Sequence, residues 1–214
     1  EKGEKPWKEV LSEFCGPFLS SLEDAEKALE GAREILAKSM GVDPECFYFT
    51  SGGTMSDNIA VRGYLQTKRK GRIITSAFEH PAVAECFKSL EGAFEVVYIK
   101  PENGIITAEA VERELTADTV FVSIMQVNNE TGAKNDILGI AQLLREEGIV
   151  FHTDAVQGYL KEPFTYSKVD MASFSAHKTH GLKGIGGLYV KKGLRPKPMI
   201  YGGGQEGNIH SGTV

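Results

Sequence analysis

Apolar and polar positions along this chain follow two rhythms. Over residues 21–40, SLEDAEKALEGAREILAKSM, the residues Leu22, Ala25, Leu29, Ala32, Leu36 and Met40 recur every three or four positions. That spacing predicts an amphipathic helix, with Ser21 and Asp24 placed as a capping box. Beyond it, short and almost continuously apolar runs take turns with helical ones. CFYFT (46–50), RIITSA (72–77), EVVYIK (95–100), TVFVSIMQV (119–127), IVFHTDA (149–155), MASFSA (171–176) and GGLYVKK (186–192) read as strands. Helical spacing fills 55–68, 81–91, 107–116 and 137–148, and Pro81 suits the first turn of its helix. Strands that are apolar on both faces and separated by helices predict an α/β fold. The sheet is expected to be seven-stranded and mostly parallel, with helices on both faces in three layers. Residues 1–20 carry no clear rhythm, and Pro6, Gly16 and Pro17 argue against one continuous helix there. They are set apart as an N-terminal extension, and 21–214 is taken as one domain.

Composition acts mainly by exclusion. The 214 residues are 41% hydrophobic and 25% charged, enough to bury a sizeable core. A net charge of -5 with interspersed signs gives no basic stripe for nucleic acid or anionic lipid. No apolar run reaches the roughly 18 residues of a membrane span, and the start EKGEKPWKEV does not read as a secretory signal. Cys15, Cys46 and Cys86 lie far apart, without a C-x-x-C pair, so neither a disulfide framework nor a zinc knuckle is suggested. A reducing, cytoplasmic setting is the expectation.

In a sheet of this kind, ligands bind outside the carboxyl ends of the strands. Four such ends carry polar chemistry, and a fifth carries Lys178. The first strand runs into Ser51-Gly52-Gly53-Thr54 and then a helix, where exposed amides and the Thr54 hydroxyl suit a phosphate or simply cap the helix. No G-x-G-x-x-G or Walker pattern is present. Glu79-His80 follows the second strand, and Asn128-Asn129-Glu130, a pair of potential turn formers, follows another. Asp154 and Gln157 follow IVFHT, and a carboxylate leaving a buried strand needs a partner. Lys178 closes SFSAHK, a costly place for a free ammonium.

One cofactor with an aldehyde, a pyridine nitrogen and a phosphate accounts for these positions together: pyridoxal 5'-phosphate. Lys178 would form the Schiff base, and Asp154 would keep the pyridine nitrogen protonated. Asn129 and Gln157 would address the ring hydroxyl, His80 could stack on the ring, and Thr54, Ser175 and His177 would surround the phosphate. Lys183, in GLKGIGG, is the other candidate lysine, but its setting suits a flexible turn better. A metal at His177 and His180 with His152 and Asp154 is disfavoured, because the histidines fall in a glycine-rich turn and no cysteine completes a set.

The segments TSGGTMSDN, EHPAV, VNNETG, FHTDAVQ, SFSAHKTHGLKGIGGLYV and GGGQEGNIHSGT occur in this order. Together they resemble the cysteine desulfurases, fold-type I pyridoxal phosphate enzymes of the class V aminotransferase group, from about Ser21 to the last residue. The resemblance implies that Lys178 anchors the cofactor, Asp154 pairs with its ring nitrogen, and His80 stacks on the ring and shuttles protons. It further implies that Asn129 and Gln157 contact the ring oxygen. Gly53, Thr54, Ser175 and His177 would bind the phosphate. Thr213 would reach the phosphate of a second subunit, implying a homodimer. The implied reaction converts L-cysteine to L-alanine, passing sulfur to an enzyme persulfide for an iron–sulfur scaffold or another sulfur-acceptor protein. Relatives of this kind continue into a smaller C-terminal domain with the sulfur-accepting cysteine and a carboxylate-binding arginine, neither of which occurs in this chain. None of its three cysteines matches the nucleophile's context, and His210 stands where an arginine is usual. A selenocysteine lyase, an aminotransferase, or a catalytically silent cofactor-binding module that supports dimerisation or docking are the alternatives.

Overall fold

The computed structural model describes residues 22–212. The helix expected first is α1 (Leu22–Met40); its Ser21 cap lies outside the described residues. The remaining helices are α2 (Gly53–Asn58), continued by a π turn over Ile59–Gly63, α3 (Pro81–Lys88), α4 (Ala108–Glu112) and α5 (Ile137–Glu146). The strands are β1 (Phe47–Thr50), β2 (Arg72–Ser76), β3 (Glu95–Ile99), β4 (Thr119–Ser123), β5 (Val150–Asp154), β6 (Met171–Ser175) and β7 (Gly186–Val190). They form the expected seven-stranded sheet, in the order β1-β7-β6-β5-β4-β2-β3. All neighbours are parallel except β7, which runs against both β1 and β6.

Strand alternation explains the layers. Successive side chains point to opposite faces, so Ile73 and Ile74, Phe121 and Val122, and Leu188 and Tyr189 each divide between two separate cores. Ala37 and Met40 of α1, Val111 of α4 and Ile140 and Leu144 of α5 join the core holding Ile74, Val122 and Tyr189. Val83 and Phe87 of α3 and the π turn's Ile59 and Val61 join the core holding Ile73, Phe121 and Leu188. Both faces are therefore covered, as runs apolar on both sides require.

Two expected elements are shorter than their patterns. The helix expected over 107–116 keeps only Ala108–Glu112, although Thr107 caps it by accepting from Ala110 N at 3.2 Å. The strand expected to run to Val127 leaves the ladder after Ser123. Ile124 N and Gln126 N still bond to His152 O and Asp154 O, so this stretch follows β5 out of the sheet and brings Met125 to its edge.

Because β1 to β6 share one direction, their carboxyl ends meet at one edge. The chain steps from β2 to β3 on one side and to β4 on the other, which makes the β2–β4 gap a topological switch point. Close backbone approach fixes the β1 end against β7: a Cβ on Gly186 would lie 2.5 Å from Gly52 Cα. Only glycine fits there.

Candidate functional site

A cavity of about 230 Å³ opens at this edge. Nine of the ten residues expected at the site line it: Gly53 and Thr54 after β1, His80 after β2, Asn129 after β4, Asp154 and Gln157 at the end of β5, and Ser175, His177 and Lys178 at the end of β6. The tenth, Thr213, lies outside the described residues. Asp57, Met125 and Val156 also line the cavity and were not singled out by the sequence reading.

Asp154 is the last residue of β5 and is 5% exposed. Burial pushes its carboxyl pKa up, opposed by the Val156 N–H donated to Oδ1 at 2.9 Å and by nearby His80. A single backbone donor leaves a buried carboxylate under-satisfied and receptive to a cationic partner. Lys178 ends the short 3₁₀ turn Ala176–Lys178 that follows β6; it is exposed and, among the described residues, makes no hydrogen bond or ion pair. Ser175 Oγ and His177 Nδ1 lie 2.8 Å apart. The two lysine candidates separate in space. Lys178 shares the cavity with Asp154, whereas Lys183 lines an adjoining cavity of about 290 Å³ with Gly52, Gly53, Thr54, Ser175 and His177.

His80 is the N-cap of α3, and its Nδ1 accepts from Ala82 N at 3.1 Å. That bond leaves Nε2 as the protonated nitrogen of the neutral ring. The paired asparagines divide their tasks. Asn128 builds the turn, its Oδ1 accepting from Glu130 N and Thr131 N at 3.0 and 2.9 Å, while Asn129 faces the cavity. Gln157 Oε1 accepts from Lys161 Nζ at 2.9 Å. At the other end, a Cβ on Gly53 would lie 2.8 Å from Val156 Cγ2, so the start of α2 sits tightly against the β5 loop.

Below the cavity lies a polar layer the sequence did not announce. His152, weighed above only as a metal ligand, is fully buried and engages Ser123 Oγ through Nδ1 at 2.8 Å and Ser173 Oγ through Nε2 at 2.9 Å. Burial drives its pKa down to about 3, so the ring is neutral. Asp57, beside it, and Glu79 are buried carboxyls, both pushed well up, chiefly by burial and also by neighbouring Asp154. No sequence signal marked Asp57, which stands between the polar residues Ser56 and Asn58. Cys46 and Cys86 are buried, and burial raises both thiols, Cys86 to about 12; Cys15 lies outside the described residues. Among the described residues no group of three His, Cys, Asp or Glu is placed to hold a metal ion, and no helix is long and apolar enough to cross a membrane.

Known proteins with this arrangement were found by sequence and by structure. Cysteine desulfurase IscS of Pseudomonas fluorescens is 46% identical over 198 residues, covering 89% of this chain and 49% of that protein. Cysteine desulfurase IscS of Serratia proteamaculans is 46% identical over 199 residues, with the same coverage of 89% and 49%. The chain thus spans about half the length of these curated relatives. The structure of SspA in complex with cysteine superposes with a TM-score of 0.88 at 38% identity, covering 98% of this chain and 63% of that one. DndA from Streptomyces lividans gives a TM-score of 0.88 at 39% identity, with 96% and 62% covered. The family model for class-V aminotransferases matches residues 19–212. Matched over nearly its whole length, the chain belongs to the class-V aminotransferase family.

Proposed function

We propose that residues 21–214 form the pyridoxal phosphate-binding large domain of a cysteine desulfurase-like enzyme. The carrying observation is the single cavity at the carboxyl edge of the sheet that an unpartnered lysine, Lys178, and an under-satisfied buried carboxylate, Asp154, line together. The donor set fits the cofactor. Lys178 offers a free amine for its aldehyde, and Asp154 a carboxylate for its ring nitrogen. Thr54, the α2 amides from Gly53, Ser175 and His177 offer donors for its phosphate. Bound there, pyridoxal phosphate would supply an electron sink for carbanion chemistry at an amino acid's α-carbon.

This chain's residues would contribute as follows. Asp154 holds a proton at the ring nitrogen by its negative charge, a charge-assisted contact worth about 1.5–3 kcal/mol. His80, oriented by the Ala82 N–H, presents its protonated Nε2 and can move a proton above the ring. Asn129 and Gln157 orient the ring through its oxygen. Lys178, when its amine is free, would serve as a base within the cavity it lines. The substrate we assign is L-cysteine, converted to L-alanine, a reading supported by the names of the relatives and by the cysteine complex of SspA. The sulfur acceptor is a thiolate outside Cys46 and Cys86, which are buried and kept protonated. The reading extends to a homodimer, with Thr213 near the partner's phosphate site, to an iron–sulfur scaffold or other sulfur-acceptor protein as partner, and to a cytoplasmic setting.

The test is a visible absorption spectrum of the purified protein with pyridoxal phosphate, before and after L-cysteine. A cofactor band that L-cysteine shifts and L-serine leaves in place supports the assignment. No band at saturating cofactor, or a band lost in Lys183→Ala but kept in Lys178→Ala, sinks it.

A further inference from the structure

We propose that Asp57 acts through Asp154: it holds the proton shared by this buried carboxyl pair and so leaves the negative charge on Asp154. The cofactor reading enters only in naming the cation that this charge serves.

Asp57 belongs to α2, lines the cavity, and is 1% exposed. Its Oδ1 is buried without a hydrogen-bond partner. His152 Nε2 lies 3.7 Å from that oxygen, too far for a hydrogen bond, and is already engaged with Ser173. A neutral imidazole has one donor and one acceptor, and His152 uses both on serines. It therefore offers Asp57 no countercharge.

The other groups facing Asp57 do not supply one either. Asp154 and His152 come from β5, Glu79 from the loop after β2, and Cys86 from α3. Glu79 Oε1 accepts from Met125 N at 2.9 Å, and its Oε2 is likewise buried without a partner. Cys86 is an uncharged thiol. The one cation that shares the cavity, Lys178, and the histidines His80 and His177 are on exposed residues. Two adjacent carboxylates under these conditions cannot both ionise cheaply, and such a pair shares a proton.

Asymmetry decides which member keeps it. Asp154 receives the Val156 N–H and feels His80, and both favour its charged form. Asp57 has no backbone donor; a contact with the Ser173 hydroxyl is outweighed by burial and by the charge of Asp154. The proton stays on Asp57. The floor of the cavity then presents one negative charge, matched to one cationic ring nitrogen, rather than two.

The experiment is infrared difference spectroscopy on the cofactor-free protein, with ¹³C-carboxyl aspartate incorporated to separate Asp57 and Asp154 from Glu79. The wild type should show an isotope-shifted carboxylic acid C=O band that persists at pH 7. That band should be lost in Asp57→Asn and retained in Asp154→Asn. Because the labelled wild type is itself diagnostic, the test survives a variant that fails to fold: absence of the band at pH 7 overturns the proposal. A band retained in Asp57→Asn and lost in Asp154→Asn also overturns it, by placing the proton on the other acid. As no cofactor is present, failure here is distinct from failure of the pyridoxal phosphate assignment.

Discussion

Replacing Asp154 by asparagine should move cofactor affinity and protein stability in opposite directions. The side chain is 5% exposed and has one donor, Val156 N at 2.9 Å, which the asparagine oxygen can keep. What the substitution removes is charge. A hydrogen bond to a charged partner contributes about 1.5–3 kcal/mol, so at about 1.4 kcal/mol per tenfold the loss is roughly 10–150-fold in affinity for pyridoxal phosphate. Without cofactor the sign reverses. Burial raises the folded-state pKa of Asp154 above its ordinary value. A raised carboxyl contributes stability that is fully present below the unfolded-state value, about 3.9, and is lost as pH rises through the folded value. At pH 8 the wild type therefore carries a buried charge that Asp154→Asn does not. Its gain is bounded by about 3 kcal/mol, the upper cost of an under-satisfied buried group. Urea denaturation of the cofactor-free proteins at pH 5 and pH 8, beside spectrophotometric cofactor titration, reads both effects. The wild type should lose more stability between the two pH values than the variant does. An Asp154→Asn protein that binds as tightly as the wild type and is less stable at pH 8 would show the carboxylate to be structural, and the reasoning would fail.

Other expectations concern the lysines, a buried ion pair and the thiols. Lys178→Ala should abolish the borohydride-trapped adduct with pyridoxal phosphate while Lys183→Ala retains it, as mass spectrometry of the trapped protein would record. Glu206→Ala should cost about 3 kcal/mol in urea denaturation, at the low end for breaking a buried pair. It strips Arg33 of two bonds at 2.9 and 2.8 Å and Phe49 N of its acceptor, although Arg33 keeps Phe47 O and the exposed Glu30 carboxylate. Cys86, raised to about 12 by burial, should resist iodoacetamide at pH 8 until the protein unfolds, since roughly 10⁻⁴ of it is thiolate. For the same reason Cys46→Ser and Cys86→Ser should leave any release of sulfur from L-cysteine unchanged.

All seven strands were legible because each is a short apolar run, and the sheet's parallel character followed from the helices between them. The gathering of polar residues at one edge was legible too, because the rule about carboxyl ends turns strand ends into neighbours. The chain did not disclose where a pattern would stop. The expected strand over 119–127 ends at Ser123 because Met125 is needed at the cavity and Asn128 folds the next turn, and neither demand disturbs the apolar run. The π turn over Ile59–Gly63 was invisible for a related reason: its bonds reach one residue further than those of an α-helix, and apolar spacing does not record that. Asp57 was not singled out, because only packing against β5 and β6 makes it a buried acid. His152 was weighed only within a disfavoured metal set, and its pairing with two serines was not anticipated, since a histidine inside a strand run does not announce its partners.

The position of Lys178 follows from the single antiparallel strand. Because β7 returns against β6, the chain after Ser175 must reverse within ten residues, Ala176 to Ile185. The neck of that loop is closed by Ala176 N to Ile185 O at 3.0 Å and tightened by Gly181 N to Ala176 O at 2.9 Å. Lys178 sits inside the closure, three residues past a fully paired strand, so its backbone is held although its side chain is unpartnered. The same reversal brings Gly186 against Gly52, setting the β1–α2 turn beside Ser175 and His177. One strand reversal thus brings Lys178 to the cavity that Asp154 also lines, and the small-residue turn beside Ser175 and His177. A lysine on a longer, open loop would have the same chemistry but would lose the orientation on which effective concentration depends.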